Sequence, residues 1–182
     1  MPAKSYQTLL VVGLSETPAT RQLFEEIFVD ELKKRGTNAI TGSSITGLRG
    51  KDKPSREAFA EALKQRAADG LLITRIVNIK RKKEEKSGFV MTDRSTEFVD
   101  YYDYYGNYWE GIESYATFDS RPVSETISSL TTLETNLFES ATGKVVWQGR
   151  TNEIHPELLI SSTKELATLI LDALSKEGLI KN

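Results

Sequence analysis

Residues Thr8 to Gly36 read TLLVVGLSETPATRQLFEEIFVDELKKRG, and this stretch decides the fold. TLLVVG is a short apolar run, suited to a strand buried on both faces. Thr17 then offers an N-cap and Pro18 an N1 residue whose missing N–H costs nothing. Leu23, Phe24, Ile27, Phe28 and Leu32 recur at helical spacing and predict one apolar face. Lys33, Lys34 and Arg35 suit the negative end of the helix dipole, and Gly36 can take the left-handed stop. A buried strand running into an amphipathic helix is the opening of an α/β domain.

Downstream, the same grammar repeats. Ala39 and Ile40 mark a brief second strand at a sheet edge, and the glycine-containing segment from Gly42 to Lys53 reads as a loop. Ser55 is expected to cap a second helix with Phe59, Ala62, Leu63 and Ala67 on one face, ended by Asp69-Gly70. Leu71 to Ile79 is a third strand. Its continuation KRKKEEK, Lys80 to Lys86, reads as a solvated extension rather than a nucleic-acid patch, because Glu84 and Glu85 offset its charge.

Past an intervening segment, Val123 to Phe138 reads as a long strand. Ile127, Leu133 and Leu137 fall on one parity and Leu130 and Phe138 on the other, which points to a bulge or to a change of exposed face. Ser140 to Gly143 is a turn, and Lys144 to Ile154 returns as the partner strand, with Val145 and Trp147 predicted on one face and Val146 on the other. Ser162 and Glu165 form a capping-box pattern for a last helix with Leu166, Leu169, Ile170, Ala173 and Leu174 as its stripe. Gly178 stops it, and Leu179 and Ile180 are expected to fold back.

The order is β-α-β-α-β, an insertion, then β-β-α. Helical crossovers make the first three strands parallel and the tight turn makes the last two antiparallel. The expectation is a single α/β domain over 1–182, a mixed sheet of about five strands with three helices packed on it. The apolar character of strand one favours the order 2-1-3, with 1-2-3 left open.

Composition bounds the rest. The 182 residues are 38% hydrophobic and 27% charged, as in a globular chain with its own core. A net charge of −2 and a pI of 5.6 supply no general attraction to nucleic acid. There is no cysteine, hence no disulfide, Cys-based zinc site or thiol chemistry in this chain. No apolar run approaches the roughly 18 residues of a membrane span, and the first residues lack a signal-peptide pattern.

The insertion, residues 87–122, contains FVDYYDYYGNYWEGIESYATF (Phe98 to Phe118). Tyr101, Tyr102, Tyr104, Tyr105 and Tyr108 fall within eight positions and Trp109 follows. Tyrosine offers a rigid face with a polar tip, suited to protein interfaces and to sugar stacking. In an extended chain Tyr101-Tyr102 and Tyr104-Tyr105 point to opposite sides, which argues against burial on a single core. Packing of these rings on one another is the plain structural alternative. Asp100, Asp103, Glu110, Glu113 and Asp119 supply the acids a glycosidase needs, yet acids in a solvated loop are commonplace.

Two other places could carry chemistry. The turn from Gly13 to Thr17 leads to a helix N-terminus and could take an anion or nucleotide, but it matches neither glycine-rich phosphate motif. His155 is the sole histidine, with no GxSxG elbow to accompany it. No catalytic residue, metal or cofactor is expected from these patterns.

The pieces LLVVGLSETPATRQLFEEIFVDELKKRG, AADGLLITRIV and LETNLFESATGKVVWQGRTNE resemble a group of bacterial envelope lipoproteins of unknown function. More distantly the arrangement is similar to the lipoprotein of the curli secretion channel, the N-terminal domain of the Tol-Pal propeller protein and the lipoprotein activators of peptidoglycan synthases. The resemblance implies an envelope domain and brings no catalytic residues with it; the expectation is a non-enzymatic periplasmic domain whose Tyr101 to Trp109 bind a protein partner or a second copy, with an envelope glycan as another ligand. The family's anchor is a lipidated cysteine preceding the domain. An outer-membrane anchor is therefore expected only in a precursor, with Met1 an engineered start; a native start implies a cytoplasmic protein.

Overall fold

The structure is a computed structural model, and it describes residues 4–13, 18–45, 48, 55–82, 128–151 and 162–182. The elements are β1 (Thr8–Gly13), α1 (Pro18–Lys34), β2 (Asn38–Thr41), a single 3-10 turn (Gly42–Ser44), α2 (Arg56–Gln65), β3 (Gly70–Lys82), β4 (Ser128–Glu139), β5 (Val145–Arg150) and α3 (Thr163–Lys176). They form one mixed five-stranded sheet in the order β2-β1-β3-β4-β5. β1 is parallel to both neighbours, and β3-β4 and β4-β5 are antiparallel. The central place of β1 resolves the open choice in favour of 2-1-3.

That order distributes the helices. Right-handed crossovers from β1 out to β2, then back past β1 to β3, place α1 and α2 on opposite faces. On one face Phe24, Phe28 and Leu32 of α1 and Leu166, Ile170 and Leu174 of α3 pack against Leu9, Val11, Leu72, Leu137 and Trp147. On the other, Phe59, Ala62 and Leu63 of α2 meet Leu10, Val12, Leu71, Ile73 and Phe138. Each fully buried aliphatic or phenyl side chain contributes about 1.5–3 kcal/mol.

The glycine stops are where the pattern puts them. Gly36, Gly143 and Gly178 all have φ between 70° and 77°. Leu179 and Ile180 are buried, and the Leu179 carbonyl accepts the Tyr6 N–H at 2.8 Å, tying the C-terminus to the strand leading into β1.

Four local expectations are corrected. Leu23 is 42% exposed and Ile27 only half-buried, because α1 is rotated to bury Arg21 and Glu25 beside Phe24 and Phe28. α2 ends at Gln65 rather than at Asp69-Gly70, with Ala67 exposed at φ 49°, while Asp69 caps the start of β1 by accepting the Gln7 and Thr8 N–H groups. Ser162 precedes α3 but makes no side-chain cap bond: its φ −100° and ψ 4° lie outside the extended region that turns an N-cap oxygen onto the helix. Finally, β5 pairs Trp147 with Leu137 and Val145 with Phe138, so the bulge at Val146 sends Val145 to the α2 face and leaves Val146 with Trp147 on the other.

Candidate functional site

The β3-β4 ladder is longer than its surroundings. β1 pairs with β3 no further than Gly13↔Thr74, and β5 pairs with β4 from Glu134↔Arg150. β3 and β4 continue together through Ile79↔Thr131 to Lys82↔Ser128, with one register shift between Ile76 and Asn78. Among the described residues, Ile76 to Lys82 pair with no third strand. At about 3.3 Å per residue, the ribbon from Arg75 to Lys82 spans roughly 23 Å. Residues 83–127 therefore leave and rejoin the sheet at one rung.

The root of this ribbon is held on both faces. On the α1/α3 face the Thr74 and Thr135 hydroxyls share a hydrogen bond of 2.8 Å. On the α2 face Glu134, fully buried, lies between two guanidinium groups. Arg75 Nη2 donates to Glu134 Oε1 at 3.0 Å and Arg150 Nε donates to Oε2 at 3.1 Å. Asn136 Nδ2 adds a bond to Oε1 at 2.9 Å. These groups converge because β3, β4 and β5 place directly paired residues on one side: Arg75↔Glu134 and Glu134↔Arg150. A carboxylate shared across three strands fixes their register, since a slip by one residue would move every partner to the opposite face. The Asn136 and Gln148 side-chain carbonyls, opposite each other on β4 and β5, are buried and unpartnered among the described residues.

A second buried charge pair sits at the carboxyl ends of β1 and β2. Glu25 Oε1 accepts from the Gly13 N–H at 3.1 Å and from Arg21 Nε at 2.7 Å, while Oε2 accepts from the Ser43 N–H at 2.6 Å. Arg21 Nη1 donates to the Leu48 carbonyl. Gly42 is required beneath this group: a Cβ there would lie 2.9 Å from Val12 Cγ2 and 3.0 Å from Arg21 Nη2.

Of the residues singled out from sequence, Tyr101, Tyr102, Tyr104, Tyr105, Tyr108 and Trp109 lie outside the described residues, as do His155 and Leu14 to Thr17. Gly13 is described, and its N–H is engaged by Glu25. Neither buried charge cluster was anticipated. The available signals were the Arg21/Glu25 pair at i, i+4 on the turn that also carries Phe24 and Phe28, and the period-two runs Ile73-Arg75 and Glu134-Asn136-Phe138.

Perturbed ionisations lie elsewhere. Burial, reinforced by the carboxylates of Glu139 and Asp69, pushes the Tyr6 phenol up to about 12. A hydrogen bond from Lys4, aided by Thr142, lowers the Glu139 carboxyl, and exposed Lys34 lowers Asp30 in the same way. None of these is tuned toward neutral pH. Among the described residues no group of His, Asp and Glu side chains could hold a metal ion, and no helix is long and apolar enough to cross a membrane.

The fold defines the class: a single mixed α/β domain with a long antiparallel ribbon built on a parallel half-sheet. No protein-family model matches this chain, and no curated protein sequence matches it. Solved structures that are similar include a PelC dodecamer from Paraburkholderia phytofirmans, at 16% identity over 95% of this chain and 88% of that one, with a TM-score of 0.43. Another is lipoprotein GNA1162 from Neisseria meningitidis, at 10% identity over 93% of this chain and 98% of that one, with a TM-score of 0.42.

Proposed function

We propose that this domain is a non-enzymatic binding and assembly module of the cell envelope, lipid-anchored in its precursor. It presents residues 83–127 to a protein partner or to a second copy of itself, and Tyr101, Tyr102, Tyr104, Tyr105, Tyr108 and Trp109 make the contact. The observation that carries this reading is the β3-β4 ribbon, which brings both ends of that segment to the single rung Lys82↔Ser128 on a root pinned from both faces. Binding segments are commonly mounted in this way on a rigid scaffold. The envelope assignment is supported by the sequence pieces that resemble envelope lipoproteins.

The buried carboxylates favour a binding role over catalysis, since Glu25 and Glu134 are both committed to holding strands and turns. The test is the triple variant Tyr102→Ser, Tyr105→Ser, Trp109→Ser. It is expected to keep the far-ultraviolet circular dichroism and melting temperature of the parent while losing self-association in analytical ultracentrifugation, or losing a partner recovered by crosslinking in cells. Unfolding of the variant would show instead that these rings are packed for stability.

A further inference from the structure

We infer that the carboxyl ends of β1 and β2 form an anion cradle that the chain fills with its own Glu25 side chain. The position lies outside the carboxyl ends of parallel strands, the end of an open α/β sheet at which ligands bind, one strand over from the β1/β3 switch point. Three donors converge on one carboxylate there: the backbone N–H groups of Gly13 and Ser43 and the Nε of Arg21. Two backbone donors and a guanidinium aimed at one carboxylate are the components of an oxyanion or phosphate site.

The cradle is a built one. Glu25 is fully buried and Arg21 is 4% exposed. Arg21 is itself fixed by the Leu48 carbonyl. Its Nη2 lies over Gly42, buried and with no acceptor among the described residues, so the site holds one more donor than Glu25 uses. In the native protein an external anion would have to displace a covalently tethered carboxylate, whose effective concentration no free ligand matches. The donors of Gly13, Ser43 and Arg21 are thereby closed to phosphates by the chain itself. This inference is independent of the contact proposed for residues 83–127.

Chemical rescue tests it. Glu25→Ala removes the tethered carboxylate and leaves the three donors and a space of its size. Acetate or formate at tens of millimolar is expected to raise the melting temperature of Glu25→Ala by several degrees beyond sodium chloride at equal ionic strength, by ordinary binding linkage. Wild type should not respond, and titration of wild type with inorganic phosphate should give no heat. Adding Arg21→Ala to the variant should abolish the rescue. If Glu25→Ala does not fold, the refolding yield in acetate against chloride is read instead. Acetate acting no better than chloride on either measure, or an equal shift in wild type, overturns the inference. So does an Arg21-dependent phosphate heat in wild type.

Discussion

The two buried carboxylates lie at the same end of the sheet, the carboxyl end of its parallel strands, one beside β1 and β2 and the other among β3, β4 and β5, and they are satisfied in different ways. Glu25 is met chiefly by backbone: one N–H group from the end of β1 and one from the 3-10 turn after β2, with Arg21 one helical turn away. Glu134 is met only by side chains, from β3, from β5 and from its own strand. Among the described residues, the first cluster pairs one acid with one base and has a donor to spare, and the second sets two bases beside one acid with two amide carbonyls to spare. Backbone donors hold a turn in shape whatever its side chains. Side-chain donors hold a register and depend on every partner remaining in place. The Glu25 cluster ties α1 to the turns at the strand ends, and the Glu134 cluster ties β3, β4 and β5 to one another.

The largest expected effect breaks the second cluster. Glu134→Ala removes the buried carboxylate that Arg75, Arg150 and Asn136 share and should cost about 3–5 kcal/mol in urea unfolding. The same experiment on the two bases sharpens the contrast: Arg75→Ala should cost more than Arg150→Ala, because Arg75 donates to Glu134 through both Nε and Nη2 from a buried position, whereas Arg150 donates once from a side chain that is 26% exposed. A loss from Glu134→Ala no larger than that of a surface mutation would remove the register argument.

Next in size is Gly42→Ala, which strikes the first cluster without altering a charge. Its methyl group would press on Val12 and on the Arg21 guanidinium, with the Val11 carbonyl 3.1 Å away. Overpacking of this kind costs about 1–3 kcal/mol. Because the Glu25 bonds to backbone can survive a small shift of Arg21, the loss should be smaller than for Glu134→Ala, and equal losses would erase the distinction.

A pH titration provides a reference remote from both clusters. The folded-state phenol of Tyr6 is raised from 10.0 to about 12, so folding favours its protonated form. The stability this contributes is fully present below pH 10 and is lost as pH rises from 10 to 12. Tyr6→Phe should flatten that part of the profile in chemical denaturation, leaving the effects of Glu134→Ala and Gly42→Ala unchanged at neutral pH. Smallest of all is Lys4→Ala, which removes the surface pair with Glu139 at 2.8 Å. It should cost no more than about 0.5 kcal/mol and vanish in molar salt, the behaviour of an exposed ion pair.

The sequence made the architecture legible where apolar periodicity and glycine stops agree. Thr8 to Gly36 announced β1 and α1, Ser140 to Gly143 announced the hairpin, and Gly178 the last fold-back. It misled where charge and burial coincide. The predicted apolar face of α1 includes Leu23 and Ile27 and leaves out Arg21 and Glu25, whereas the structure buries the charged pair and exposes Leu23. Charged side chains are rarely buried unless paired, so a reading by hydropathy places them outside by default. Val145 and Trp147 were assigned to one face because strict alternation knows nothing of a bulge. For Tyr101 to Trp109, sequence supplies the chemistry of the side chains and the ribbon supplies the place where their segment is attached.

That single point of attachment has a consequence for chain entropy. Lys82 and Ser128 face each other across an antiparallel rung, so a two-residue Asn-Gly turn could join them and residues 83–127 could be excised whole. Each halving of a connecting loop lowers its closure cost by about 0.6 kcal/mol. The shortened protein should therefore melt higher than its parent, its surviving strands in unchanged register. A higher melting temperature in the shortened protein would show that the aromatic segment adds nothing to what holds the sheet together, and a lower one that it does.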